Sequence, residues 1–250
     1  MEVEKLSKSP PAVLALFLLI LGSVYLFINF FGYTFVPFNR LVLDGCIAAV
    51  TVFLTLLGLK RRKRKTKSAT VFALILPIIA IFFVLTKIVT SDINEIESYL
   101  YVVCFYVVLI CSMIIFFACG SGEIIKLLLG IVYSVLLIPV FLILFIMIPF
   151  MNLGSNTVIK SEMSPNSIYL AEIINSDQGA LGGDTIVNVT RQNCDINLLI
   201  GRLKKDPKRV YTGRWHEFFT MTLRWETDEI LYVNETKYII TKTGGIIYGS

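Results

Sequence analysis

Charge is scarce in this sequence of 250 residues. Asp, Glu, Lys and Arg make up 16% of it, where about 25% is usual. Histidine occurs once, at position 216. His216-Glu217 begins like the helix of a zinc protease, but position 220, where the second histidine would stand, is Thr. That absence excludes a zincin site. The five cysteines contain no Cys-x-x-Cys pair, so the common zinc and dithiol motifs are excluded too. There is no Gly-x-Ser-x-Gly elbow to present a serine nucleophile. What the chain does have is apolar surface: 56% hydrophobic residues and a mean hydropathy of +0.75. A soluble domain carries about 45–50% apolar residues. A disordered chain, a collagen-like repeat and an ordinary soluble enzyme are all excluded.

The apolar residues are concentrated before Phe150. Five runs there read as membrane spans: Pro11–Phe31, Leu41–Leu59, Ala69–Thr90, Tyr99–Cys119 and Ile125–Phe150. About 20 apolar residues in a helix cover a hydrocarbon core of about 30 Å, and in lipid the backbone must pair within the segment. None of the runs offers a polar face to water. Pro77 and Pro139 fall inside two of them, a position that membrane helices tolerate. The first run is longer than the apolar core of a signal peptide and no Ala-x-Ala-like site follows it, so it reads as a retained helix. After Phe150 come nine of the 16 glycines and both tryptophans. The chain therefore divides into a membrane part, 1–150, and a soluble part, 151–250.

Orientation follows from one loop. Lys60, Arg61, Arg62, Lys63, Arg64, Lys65 and Lys67 make seven of the eight residues between spans two and three basic. Such loops stay in the cytoplasm. Alternation then puts the N-terminus inside and Gly32–Arg40, Ser91–Ser98 and the C-terminal part outside. Asp92, Glu95 and Glu97 make the second of these loops acidic, which agrees. Between two spans the basic cluster reads as a topology anchor lying against anionic membrane lipid, not as a nucleic-acid patch. The chain's +5 charge comes from this cluster. Residues 151–250 carry 11 basic and 11 acidic side chains, so no nucleic-acid partner is expected.

Ionisable residues at membrane depth are functional candidates. Asp44 stands three residues inside the outer end of span two, and Lys87 lies near the outer end of span three. They could pair in an outward-facing cavity, or each could reach the headgroups separately, Lys87 by snorkelling. No span carries a charge at its centre, and no internal repeat is visible. Cys46, Cys104, Cys111 and Cys119 lie within spans and read as small apolar side chains. Cys194 alone is external, so it has no partner for a disulfide within its domain.

The soluble part follows a period of two. Phe219, Met221, Leu223 and Trp225 alternate with Thr220, Thr222, Arg224 and Glu226, the pattern of a half-buried strand. Ile230–Val233 and Lys237–Thr241 continue it. Ile168–Ile174, Thr185–Thr190, Asp195–Gly201 and Val210–Trp215 are further strands, with Lys204-Lys205-Asp206-Pro207-Lys208 as a charged turn. Val187 and Val189 share one face. Six to eight short strands in so short a segment predict a small antiparallel all-β domain, a sandwich or a partly open barrel, because such sheets need two layers to bury their inner faces. The fold class is thus a five-span α-helical transmembrane bundle followed by an extracytoplasmic β-domain. The sequons at Asn188 and Asn234 would be glycosylated only in a eukaryotic secretory host.

The segment Ser164-Pro165-Asn166-Ser167-Ile168-Tyr169-Leu170-Ala171 resembles the Ser-Pro-Asp/Asn-Gly-Lys-Tyr opening of small extracytoplasmic β-domains in uncharacterised families of Gram-positive bacterial membrane proteins. Asp177-Gln178-Gly179-Ala180 is similar to their Gly-Ala loop, and Trp225 to Leu231 to their later Trp-x-Asp-x-x-Leu strand. The pattern departs at Ser167-Ile168, where Gly-Lys would stand. It covers roughly residues 160–240 and implies a fold and a surface location, not an activity. Similar motifs occur in propeller blades, but one unrepeated domain cannot make a propeller.

The longest glycine-rich loop runs from Ser176 to Asp184. Asp177, Gly179, Gly182, Gly183 and Asp184 are candidates for a ligand loop, with the two carboxylates as oxygen donors for a cation. The other reading is a hairpin turn that uses glycine for positive φ. The spacing is not that of an EF-hand, and no cofactor is expected. No paired acid and base stands out, so a membrane enzyme ranks last. The expected function is display of the β-domain for binding an envelope component, a peptide or a partner protein. The alternative is a transporter or a subunit of a transport complex.

Overall fold

The computed structural model describes residues 9–61, 67–90, 99–120, 122–150, 155–179, 182–241 and 246–248. It divides into two compact units: Met1–Phe31 with Pro37–Ile148, and Gly32–Val36 with Pro149–Ser250. The basic residues Arg62, Lys63, Arg64 and Lys65, the acidic loop Ser91–Ser98, and Ala180 lie outside the described residues.

The first unit holds five helices: α1 (Pro10–Phe30), α2 (Arg40–Lys60), α3 (Lys67–Thr90), α4 (Tyr99–Cys119) and α5 (Glu123–Phe150). All five are long and apolar enough to cross a membrane. Their ends lie within two residues of the apolar runs. Prolines open α1, where a missing N–H costs nothing. The Asn39 side chain caps α2 by accepting from Val42 N at 3.0 Å. α3 and α5 run on through Pro77 and Pro139. Large apolar side chains such as Ile20, Phe53 and Leu127 stand outward, so no side of these helices suits water.

Inside the unit, α1 packs on α3, and α4 packs on both α2 and α3. Gly22 permits a close α1–α3 approach: a Cβ there would stand 2.8 Å from the Phe82 ring. The buried threonine hydroxyls are satisfied locally. Thr51, Thr55, Thr86 and Thr90 each donate to the carbonyl four residues back, at 2.7–2.8 Å. The Tyr133 hydroxyl donates to Leu74 O at 2.6 Å and ties α5 to α3. Tyr106 donates to Phe141 O at 3.2 Å and ties α4 to α5.

The second unit holds three antiparallel sheets. One has the order β2 (Ser155–Met163), β3 (Tyr169–Asp177), β4 (Gly183–Arg191), β7 (Lys208–Arg214). The next has the order β11 (Ile246–Tyr248), β10 (Thr236–Ile240), β9 (Ile230–Val233), β8 (Leu223–Thr227). Both four-stranded sheets contribute to one core. Tyr169, Ala171, Ile173, Val187, Val189 and Val210 come from the first, and Leu223, Leu231, Val233, Tyr238 and Ile240 from the second. Phe218 and Met221, between β7 and β8, complete it.

Three expectations are corrected here. Phe219 does not join the alternating strand. His216 takes a left-handed φ of 68°, and Glu217–Phe219 then form a 3-10 turn. This breaks the parity, and Phe219 is left 77% exposed, whereas Met221 and Leu223 are buried. Asp195–Gly201 is not one strand either: it bends into the hairpin β5 (Ile196–Leu198) and β6 (Gly201–Lys205). Lys204 and Lys205 therefore belong to a strand, and only Asp206-Pro207 turn the chain into β7.

The third correction concerns Gly32–Arg40, read as a plain loop. It contains β1 (Tyr33–Pro37), which pairs with β6 in the three-stranded sheet β1-β6-β5. Asp206 N donates to Gly32 O at 3.1 Å, and Thr34 Oγ1 donates to Asp206 Oδ1 at 2.6 Å. Lys205 Nζ sits 4.2 Å from the Tyr33 ring centroid.

Candidate functional site

The helical unit contains one buried ion pair among the described residues. Asp44 is in the second turn of α2 and Lys87 is in the last turn of α3. Their side chains meet with Lys87 Nζ 3.3 Å from Asp44 Oδ1, and each is 3% exposed. Sequence reading named both residues but not the third member. Tyr25 of α1 accepts a hydrogen bond from Lys87 Nζ at 3.1 Å, and the ammonium lies 4.4 Å from its ring centroid. Three helices thus converge on one cation. Asp44 Oδ2 is buried and without a hydrogen-bond partner among the described residues. A half-used carboxylate in an apolar bundle is a group able to accept a proton or a cation.

In the β unit, the two segments that carry the resemblance interlock. Asp228 accepts from Asn166 N at 2.9 Å and from Asn166 Nδ2 at 2.5 Å. The Ser164 hydroxyl accepts from Ile168 N and Tyr169 N, both at 3.1 Å. Trp225 Nε1 donates to Glu162 O at 3.0 Å, and its ring stacks on Tyr169 with centroids 6.3 Å apart. The hydrogen bond from the Asn166 backbone, helped by those from the Ser164 and Asn166 side chains, holds the Asp228 carboxyl below the usual carboxylate range. Beside this junction is a hollow of about 530 Å³ lined by Ile168, Tyr169, Arg191, Thr227, Asp228 and Glu229. It joins one cation and two carboxylates to an apolar floor. Sequence reading missed it because Arg191 and Glu229 lie 38 residues apart along the chain.

The glycine-rich loop has hairpin geometry. It joins β3 to β4, whose register pairs Asp177 with Gly183 and Ser176 with Asp184. Gly179 and Gly182 take φ of 63° and 95°, which glycine reaches without strain. Asp177 Oδ1 accepts from Gly179 N at 2.8 Å, and Asp184 Oδ2 accepts from Gln178 Nε2 at 3.4 Å. Each carboxylate is thus engaged within the turn. Among the described residues, no group of three or more His, Cys, Asp or Glu side chains could hold a metal ion.

His216 stacks on Trp215 (4.2 Å between centroids) and on Phe219 (5.9 Å). Next to it, the Tyr211 hydroxyl donates to Glu217 Oε1 at 2.7 Å, and Arg214 N donates to Glu217 Oε2 at 2.9 Å. Gly213 makes room for this contact, since a Cβ there would collide with the Glu217 carboxylate. All five cysteines are free thiols, and Cys194 is half-buried. No family model, no curated protein and no solved structure matches the chain.

Two expectations follow from these contacts. Lys87→Met leaves a carboxylate buried without its cation, and should cost about 3–5 kcal/mol of stability. The double variant Asp44→Asn, Lys87→Met should recover most of that loss, read from unfolding midpoints in detergent micelles. The Glu217 hydrogen bond, then burial, pushes Tyr211 from an ordinary 10.0 up to about 12. The folded state therefore holds this proton longer than the unfolded one. The contribution is complete below about pH 10 and is lost as pH rises towards 12. In an absorbance titration of the tyrosines, Tyr211→Phe should remove one late-titrating group.

Proposed function

We propose that this is a polytopic plasma-membrane protein that crosses the bilayer five times and displays its C-terminal β-sandwich on the outer surface. The N-terminus and the basic residues Lys60 to Lys67 face the cytoplasm, where they lie against anionic lipid. The displayed domain binds an envelope component, a peptide or a partner protein.

The observation that carries this reading is the pairing of β1 with β6. β1 lies between α1 and α2, whereas β6 follows α5. Four helices separate them, and four crossings return the chain to the side of the membrane that it left. The orientation drawn from the basic loop makes that side external. A domain that takes a strand from between two membrane helices is joined to the helical unit by three chain segments, α1–β1, β1–α2 and α5–β2, and not by one tether. The resemblance of residues 160–240 to extracytoplasmic β-domains of Gram-positive bacteria points the same way.

Within the domain, the hollow beside Asp228 is the ligand site in this reading. Its one cation, two carboxylates and Tyr169 floor suit a ligand with both charges and an apolar body, such as a peptide. A photoreactive phenylalanine analogue replacing Ile168 in intact cells should give one discrete adduct. Arg191→Glu should abolish it, and the same analogue at Glu235 should give none. Failure to form an adduct at position 168 in a folded protein counts against the binding role.

A second reading is favoured by the unpartnered oxygen of Asp44. It makes the helical unit a conductor of protons or small cations, alone or within a transport complex. In proteoliposomes with an imposed pH gradient, Asp44→Asn should then slow the flux. Unchanged flux removes this reading.

A further inference from the structure

Four large apolar side chains stand in the open at one place in the β unit. In the β5–β6 hairpin, Ile196, Leu198, Leu199 and Ile200 are all exposed, and Leu199 is 100% exposed. Leu198 pairs with Gly201, so Leu199 and Ile200 form the tip. Ile196 pairs with Leu203, and Asn197 with Arg202. The period of two therefore gives the hairpin an apolar face, Ile196, Leu198 and Leu203, and a basic one, Arg202 and Lys204. Arg202 and Lys204 are exposed. Contiguous apolar surface of this kind marks an interaction site.

The partner is indicated by what the hairpin is joined to. β6 is the middle strand of β1-β6-β5. Only Phe31-Gly32 separate β1 from α1, and only Phe38-Asn39 separate it from α2. Two residues span at most about 7 Å, so chain length alone keeps β1 beside the ends of both helices. β5 lies two strands further on, about 10 Å away. Phe30, Phe31 and Phe38 are exposed at the same junctions, as aromatic residues are at a bilayer interface.

We propose that the tip Leu198-Leu199-Ile200 inserts into the outer leaflet of the bilayer, with Arg202 and Lys204 against anionic phosphate headgroups. The inference rests on the reading that α1 and α2 cross the membrane. Insertion is shallow, because the turn has backbone groups that need water or headgroup partners. The hairpin thus forms a second attachment of the domain to the surface, beside the covalent one.

The test uses the full chain with all native cysteines replaced and Leu199→Cys labelled with an environment-sensitive nitrobenzoxadiazole dye. The protein is placed in vesicles of phosphatidylcholine and phosphatidylglycerol. The emission should shift to the blue and be lost when lipids carry a nitroxide near the headgroup end of the acyl chain. The dye at Glu235→Cys should remain aqueous and unquenched. A chain that keeps only Cys46, which is exposed on α2, reports the spanning helix through a nitroxide at mid-bilayer. Quenching at Cys46 but not at position 199 overturns this proposal and leaves the membrane reading in place. Quenching at neither position overturns both. A blue shift at 199 that needs high protein density and ignores the nitroxide means burial against a second copy, and also overturns it. Ile200→Cys repeats the measurement where the Leu199 variant does not fold.

Discussion

A backbone or side-chain polar group that leaves water must find a partner nearby, and this requirement shapes the helical unit. The helices present apolar side chains outward, so polar groups are answered inside, and among the described residues Asp44 Oδ2 and Ser9 Oγ are the buried side-chain atoms left over. Most are answered within one turn, as the threonine hydroxyls are by the carbonyls four residues back. Tyr106 and Tyr133 are answered by carbonyls of neighbouring helices, which converts the same requirement into tertiary structure. Lys87 is the extreme case. A buried ammonium is tolerable only because α1 and α2 both bring it a partner, Tyr25 and Asp44. The three-helix junction is therefore as much a solvation shell as a packing contact.

The β unit solves the opposite problem. Its strands are too short to be stable alone, so the two four-stranded sheets share one core. At the edge of that core, polar bonds fix the connections. Asn166 to Asp228 holds the β2–β3 turn against the β8–β9 turn. The Thr185 hydroxyl donates to Arg214 O and accepts from Phe218 N, which fixes the short 3-10 turn on β4. The hollow lined by Arg191 and Glu229 lies beside the first of these connections.

The helices were legible because an apolar run of span length has few alternatives, and the bounds of α2 and α4 follow the composition closely. Asp44 and Lys87 were legible as charges out of place, but their distance was not. Tyr25 was hidden because a tyrosine in an apolar run counts as one more apolar body until its hydroxyl has a partner. In the β unit, alternation located β3, β4, β8 and β9. It failed at Phe219, since a period of two survives only while the backbone stays extended, and one left-handed residue, His216, ends that. β1 was missed for a different reason. Periodicity describes one strand and says nothing about its neighbour, and the neighbour of Thr34 includes Asp206, 172 residues away.

That separation governs the order of assembly. During synthesis β1 emerges long before β6, so its backbone N–H and C=O groups wait unpaired while α2 to α5 and then β2 to β5 are made. A strand edge kept open in this way is exposed to wrong pairing, and closing so long a loop is slow. Pro37, which has no N–H to donate, ends the strand and shortens the edge that must be protected. Pairing of β1 thus waits until chain synthesis has passed residue 205, and the sheet β1-β6-β5 cannot close before then.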